Sequence, residues 1–240
     1  MSFRRLITVG VLAASAAVLP ALPGQAAPST GNCGNPDYPT NATSLSLAVT
    51  PTRLTAGQSA TAFGELRKNA CPVRGAKIRI ERKRLVNGTQ TGKWALVATA
   101  TTRPNGLYSA TFAPLHNELV RAHFTGASDF PRAWSQNVTV KVRTKITEAA
   151  KSGSACTITL TGTTTPAKSR HTVTIQNRGA KGHFNGWKFF ARGTTNRTGH
   201  YSITKTATCG KTYNLSALIA SDSTNLGGRS ATVYGVKAAS

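Results

Sequence analysis

The chain has 240 residues, with 30 Lys and Arg against seven Asp and Glu, for a formal net charge of +23. That length suits two domains of ordinary size, and that charge favours anionic partners through salt-dependent attraction. Seven acids argue against chemistry that needs clustered carboxylates, so neither a calcium site nor a glycosidase-like acid pair is expected.

At the N-terminus, Arg4 and Arg5 precede an uncharged, largely apolar run from Leu6 to Leu19, followed by Pro20, Pro23 and Gly24. Small residues at Gly24 and Ala26 frame a cleavage point, the layout of a secretory signal peptide over residues 1–27. The run is shorter than the ~20 residues a transmembrane helix needs. With no second apolar stretch, the expectation is an exported chain without a membrane anchor after cleavage. Residues 28–42 follow, rich in Gly, Pro and Asn, and flexible unless Cys33 ties them down.

From residue 43 the pattern is β. Ser44–Val49, Ala76–Arg82 and Asn137–Arg143 alternate polar with apolar residues, as do Cys156–Leu160, Thr172–Ile175 and Tyr213–Ala217 farther on. Period-two alternation rich in Thr, Val and Ile predicts half-buried strands. Turn signals fall between them, including Asn87-Gly88, Pro104-Asn105-Gly106 and Thr198-Gly199. No amphipathic helix is predicted beyond the leader. Seven or so short strands at this spacing, twice over, predict an all-β chain of two antiparallel sandwiches.

One stretch occurs twice. Trp94–Thr111 and Trp187–Thr204 align at a constant offset of 93 with eight of eighteen positions identical, among them Trp94/Trp187, Gly106/Gly199 and Tyr108/Tyr201. The chain is therefore read as a tandem, with domains at residues 43–143 and 146–238. The glycines are assigned to turns that a Cβ would strain. The repeated Trp and Tyr are assigned to core packing. Exposed aromatics that belong to one copy, Tyr38, Phe130, Trp134 and Phe184, are the better ligand candidates.

These residues carry a resemblance. Thr50-Pro-Thr-Arg-Leu-Thr-Ala-Gly-Gln58, a Phe63-Gly64 strand end, Trp94, the segment through Gly106, Tyr108 and Ser109, and Arg121-Ala-His-Phe-Thr-Gly126 together resemble the immunoglobulin-like repeats of secreted actinobacterial proteins. The second copy matches more loosely, with Cys156 and Cys209 as additions. The resemblance implies two tandem immunoglobulin-like antiparallel β-sandwiches and is nearly silent on activity, because such scaffolds host many roles.

Four cysteines in an exported chain point to disulfides. Three pairings are open, and the repeat boundary favours Cys33–Cys71 and Cys156–Cys209. Neither the cysteine spacing nor the five scattered histidines, read as solvated or turn residues, fits a metal site, and no cofactor is implied. The densest basic run is Lys77, Arg79, Arg82, Lys83 and Arg84, with Lys77, Arg79 and Lys83 on one face of a predicted strand. No GxSxG or HExxH motif occurs, and no nucleic-acid motif accompanies the charge. The sequence thus predicts a secreted, non-enzymatic module, extracellular or associated with the cell wall. It would engage an anionic cell-wall polymer or acidic polysaccharide through the Lys77–Arg84 strand. A spacer or adhesion stalk is the alternative reading, and an unrecognised hydrolase the third.

Overall fold

The computed structural model describes residues 42–69, 71–179 and 186–239, and in these all regular structure is β. The expected leader, the segment containing Cys33 and Tyr38, and also His183 and Phe184, lie outside the described residues. No helix among the described residues is long and apolar enough to cross a membrane.

The first sandwich runs in chain order through β1 (Thr43–Leu45), β2 (Ala48–Thr50), β3 (Arg53–Thr55), β4 (Ala60–Lys68), β5 (Cys71–Pro72), β6 (Lys77–Val86), β7 (Thr89–Thr101), β8 (Leu107–Phe112), β9 (Glu118–Phe124), β10 (Ala133–Trp134) and β11 (Val138–Arg143). In one sheet β4 pairs with β1, β2, β5 and β8; in the other the order is β3-β11-β9-β6-β7, with β10 on β9. All pairs are antiparallel except β3 and β11, which run parallel from Arg53 opposite Lys141. Alternation aims Ile78, Ile80, Val120, Val140 and Val142 inward, where none has solvent exposure. Burying each such side chain contributes about 1.5–3 kcal/mol.

The second sandwich contains β12 (Lys145–Ile146), β13 (Ala149–Ser152), β14 (Thr157–Thr165), β15 (Thr172–Arg178), β16 (Trp187–Thr194), β17 (His200–Thr206), β18 (Thr212–Ile219), β19 (Gly228–Arg229) and β20 (Val233–Lys237). Here β14 pairs with β12, β13 and β17, and the facing sheet runs β16-β15-β18, with β19 and β20 on β18. Its core gathers Ile158, Leu160, Val173, Ile175, Leu215 and Ile219. Both copies place the first, second and fifth strands of the immunoglobulin order against the third, sixth and seventh, so the architecture is two tandem immunoglobulin-like sandwiches. A disulfide joins Cys156 to Cys209 across 5.0 Å between Cα atoms. Cys71 is also disulfide-bonded, but the expected pairing with Cys33 lies outside the described residues.

Three expectations change. Ser44–Val49 is not one strand: it breaks at Ser46 and Leu47, where the Glu65 N–H bonds to the Ser46 hydroxyl at 2.9 Å and the Ser46 carbonyl accepts the Tyr108 hydroxyl. Gly64 is not a strand end but sits inside β4, where a Cβ would lie 2.1 Å from the Ser46 carbonyl oxygen. Trp94 and Trp187 belong to neither core, whereas Tyr108 belongs to the first and Tyr201 to the second. The turn assignment holds at Gly106 and Gly199, whose φ values are +76° and +80°.

The sandwiches meet through hydrogen bonds rather than a bare tether. Thr144, in the connection, is buried and donates its N–H to the Leu226 carbonyl at 2.9 Å. The Asp222–Asn225 loop of the second sandwich reaches the first: Asn87 N–H donates to the Ser223 carbonyl, Asn117 N–H to the Thr224 carbonyl, and the Asn225 amide to the Leu115 carbonyl. Lys168, 6% exposed, anchors that loop from behind, with Nζ 2.5 Å from Asp222, 2.8 Å from Asn225 and 3.0 Å from Thr224. His116 and His171 also join this junction, at Asn225 and Asp222 respectively, so the reading of them as solvated turn residues is corrected.

Candidate anion-binding face

All five candidate cations lie on β6, but they divide between its two sides. In the register with β9, Arg79, Glu81 and Lys83 stand opposite His123, Arg121 and Leu119. Lys77 shares that outer side, at the exposed start of the strand. Arg82 and Arg84 alternate with them, opposite Val120 and Glu118.

Glu81 organises the outer side. It is only 6% exposed although it faces away from the core, because three donors cover it. Arg121 holds one carboxylate oxygen from Nε at 3.0 Å and Nη2 at 2.9 Å; Arg79 Nε and His123 Nδ1 reach the other, each at 3.2 Å. Burial works against the charge, yet these donors outweigh it and hold the Glu81 carboxyl below its ordinary value. Two tryptophans flank this knot. Arg121 stacks 4.1 Å from the Trp94 ring centre, and Lys83 lies 5.9 Å from it. On the other flank His123 stacks on Trp134 at 5.0 Å and 11°, with Arg132 5.1 Å from the same ring. The result is a continuous row of rings and cations across β7, β6, β9 and β10.

Arg82 works on the other side. Its guanidinium lies 3.5 Å from Glu118, which is 2% exposed. Burial pushes the Glu118 carboxyl up to about 7, with Arg82 pulling against it. The β6 cations therefore meet two acids, both buried. Arg79 and Arg82 keep about two-fifths of their side chains exposed even so.

In the second sandwich, Arg229 stacks 4.0 Å from the Trp187 ring and donates to Gln176 at 2.7 Å. A guanidinium over each repeated tryptophan is thus shared by the two copies, which corrects the assignment of these rings to the cores. Indole faces attract cations, and Arg suits such stacking. Phe130 is a loop anchor packed on the first core beneath Lys68, whereas Trp134 is 44% exposed.

An open cleft of about 630 Å³ on the second sandwich is lined in part by Glu148, His200, Tyr201 and Ser202. Glu148 is the single carboxylate in that lining, and one of its oxygens already accepts the Ser230 hydroxyl at 2.8 Å. Among the described residues no group of three or more His, Cys, Asp and Glu comes together.

Comparison with protein-family models gives no match, and comparison with curated proteins gives none either. Solved structures similar to the chain include a tetra-tandem repeat from the extending region of a large adhesion protein (17% identity, TM-score 0.33, covering 80% of this chain and 49% of that one). The adhesin InvE of Yersinia pseudotuberculosis is similar at 16% identity and TM-score 0.34, over 80% and 58% of the two chains. A red sea bream transglutaminase is similar at 12% identity and TM-score 0.35, over 79% and 31%. The chain spans about half the length of the first of these.

The basic strand was legible from sequence as a charge run. Arg121, His123 and Arg132 were missed as members of the face, and alternation put Glu81 on the side of Lys77 and Arg79 without showing the donors it gathers. Their signal is long-range, since cross-strand partners at separations of 40 and 42 residues leave no local pattern.

Proposed function

We propose that the chain is an exported, non-enzymatic binding module that holds to an anionic polymer of the cell envelope or its surroundings through the β6 side of the first sandwich. The observation that carries this reading is the placement of five cations on one strand whose two acidic partners are both buried. The acids that pair with these cations are thus withdrawn from the surface while guanidinium groups stay exposed, an arrangement that draws in polyanions. Export is supported by the Cys156–Cys209 disulfide, since such bonds persist in oxidising compartments.

A spacer or stalk role is the second reading, favoured by the hydrogen-bonded junction around Asn225, which is 1% exposed. The two are compatible, because a fixed joint presents one face at a set orientation. The test is retention on purified cell walls across a salt series. Binding at low salt and release at high salt supports the proposal; equal retention at both overturns it.

A further inference from the structure

The outer side of the β7-β6-β9-β10 sheet holds more than charge. Lys77, Arg79, Lys83, Arg121 and Arg132 are interleaved with Trp94, His123 and Trp134, and Trp134 is exposed although large aromatics bury well. A surface selected for solubility has no use for an exposed tryptophan held flat against a histidine. Both tryptophans are set in place by stacking partners, so little side-chain freedom remains to be lost on binding. The four strands lie side by side at about 4.8 Å spacing, so the row is roughly 14 Å wide. The 630 Å³ cleft is elsewhere, on the second sandwich. A broad, uncupped face suits a chain laid across it, whereas small ligands take concave sites.

We propose that this face binds an acidic polysaccharide, with the exposed Trp134 stacking on a sugar ring and Arg79, Lys83 and Arg132 pairing with carboxylates. Rings suit the apolar faces of a sugar, and guanidinium groups suit planar carboxylates. A polymer of phosphates without such rings would use the cations and leave Trp134 idle. The inference rests on the anionic-polymer reading above and narrows it to a glycan.

The experiment titrates the purified chain with polygalacturonate and, separately, with polyphosphate at matched charge, following tryptophan fluorescence and heat. Three proteins are compared: wild type, Trp134→Ala and Trp134→Phe, each checked for an unchanged unfolding midpoint. The expected result is that Trp134→Ala weakens polygalacturonate binding roughly two- to tenfold, Trp134→Phe restores most of it, and polyphosphate binding is unchanged by either. If both polymers bind and Trp134→Ala weakens neither, or weakens both equally, the glycan assignment is overturned while the charge reading stands. If neither polymer binds, the charge reading falls as well.

Discussion

The Tyr108 hydroxyl donates to the backbone carbonyl of Ser46, and Tyr201 repeats the bond on Thr147 at 2.6 Å in the second sandwich. Each acceptor sits at a break in its edge strand. Each also lends its side-chain oxygen to the neighbouring strand in place of the diverted carbonyl: Ser46 to Glu65 N–H at 2.9 Å, Thr147 to Thr163 N–H at 3.0 Å. Gly64 and Gly162 make room, since a Cβ at either would lie 2.1 Å from the acceptor oxygen. Burial pushes both tyrosine pKa values up, so the hydroxyls remain donors at ordinary pH.

Tyr108→Phe is therefore expected to destabilise the first sandwich by about 1–2 kcal/mol, the loss of one hydrogen bond with a diverted carbonyl left behind. Gly64→Ala should be worse, because the methyl group collides with backbone rather than with a yielding side chain. Urea unfolding of each variant checks both values and their order.

Removing the Lys168 ammonium tests the junction. Lys168→Met leaves Asp222, Thr224 and Asn225 without their shared donor, at an expected loss of roughly 1–3 kcal/mol. Burial opposes the Asp222 charge, but Lys168 and the Thr224 donors outweigh it and hold the carboxyl at about 2, below its ordinary 3.8. A depressed folded-state pKa contributes stability that is present above 3.8 and lost as pH falls toward about 2. Thermal unfolding between pH 5 and 2 should show that loss in wild type and a smaller one in Lys168→Met.

Glu118 has the opposite sign. Burial raises its carboxyl from 4.5 to about 7, so the folded form holds the proton more tightly than the unfolded form. Its contribution is fully present below 4.5 and is lost as pH rises through about 7. Glu118→Gln should therefore gain on wild type as pH rises from 5 to 8, read as the difference between their unfolding midpoints.

The Cys156–Cys209 bond closes a separation of 53 residues, which in the chain-entropy account stabilises the second sandwich by about 4 kcal/mol. Replacing both cysteines with alanine should lower the midpoint of that sandwich and leave the first unchanged, resolved by calorimetry.

The strands were legible where alternation was clean: Lys77–Val86, Val138–Arg143 and Thr172–Arg178 overlap the segments whose polar and apolar residues take turns. The repeat at offset 93 located Tyr108 and Tyr201 but not their acceptors, because the loops of the two copies differ in length and Ser46 and Thr147 fall out of that alignment. The same repeat misplaced the tryptophans. A conserved spacing reports equivalent positions, and those positions lie on the outer sheet face, where an arginine from another strand covers each ring. The junction left no local trace, since Lys168 and Asn225 are 57 residues apart and His116 and Asn225 are 109 apart.

The most direct test of the central claim is the salt dependence of polyanion binding with the outer cations removed. Affinity for polygalacturonate, measured from 50 to about 300 mM NaCl, should fall linearly on logarithmic axes for wild type. The triple variant Lys77→Gln, Arg79→Gln, Lys83→Gln should bind more weakly, with a slope shallower by roughly two. Equal affinity and equal slope in the two proteins would contradict the assignment of binding to this strand.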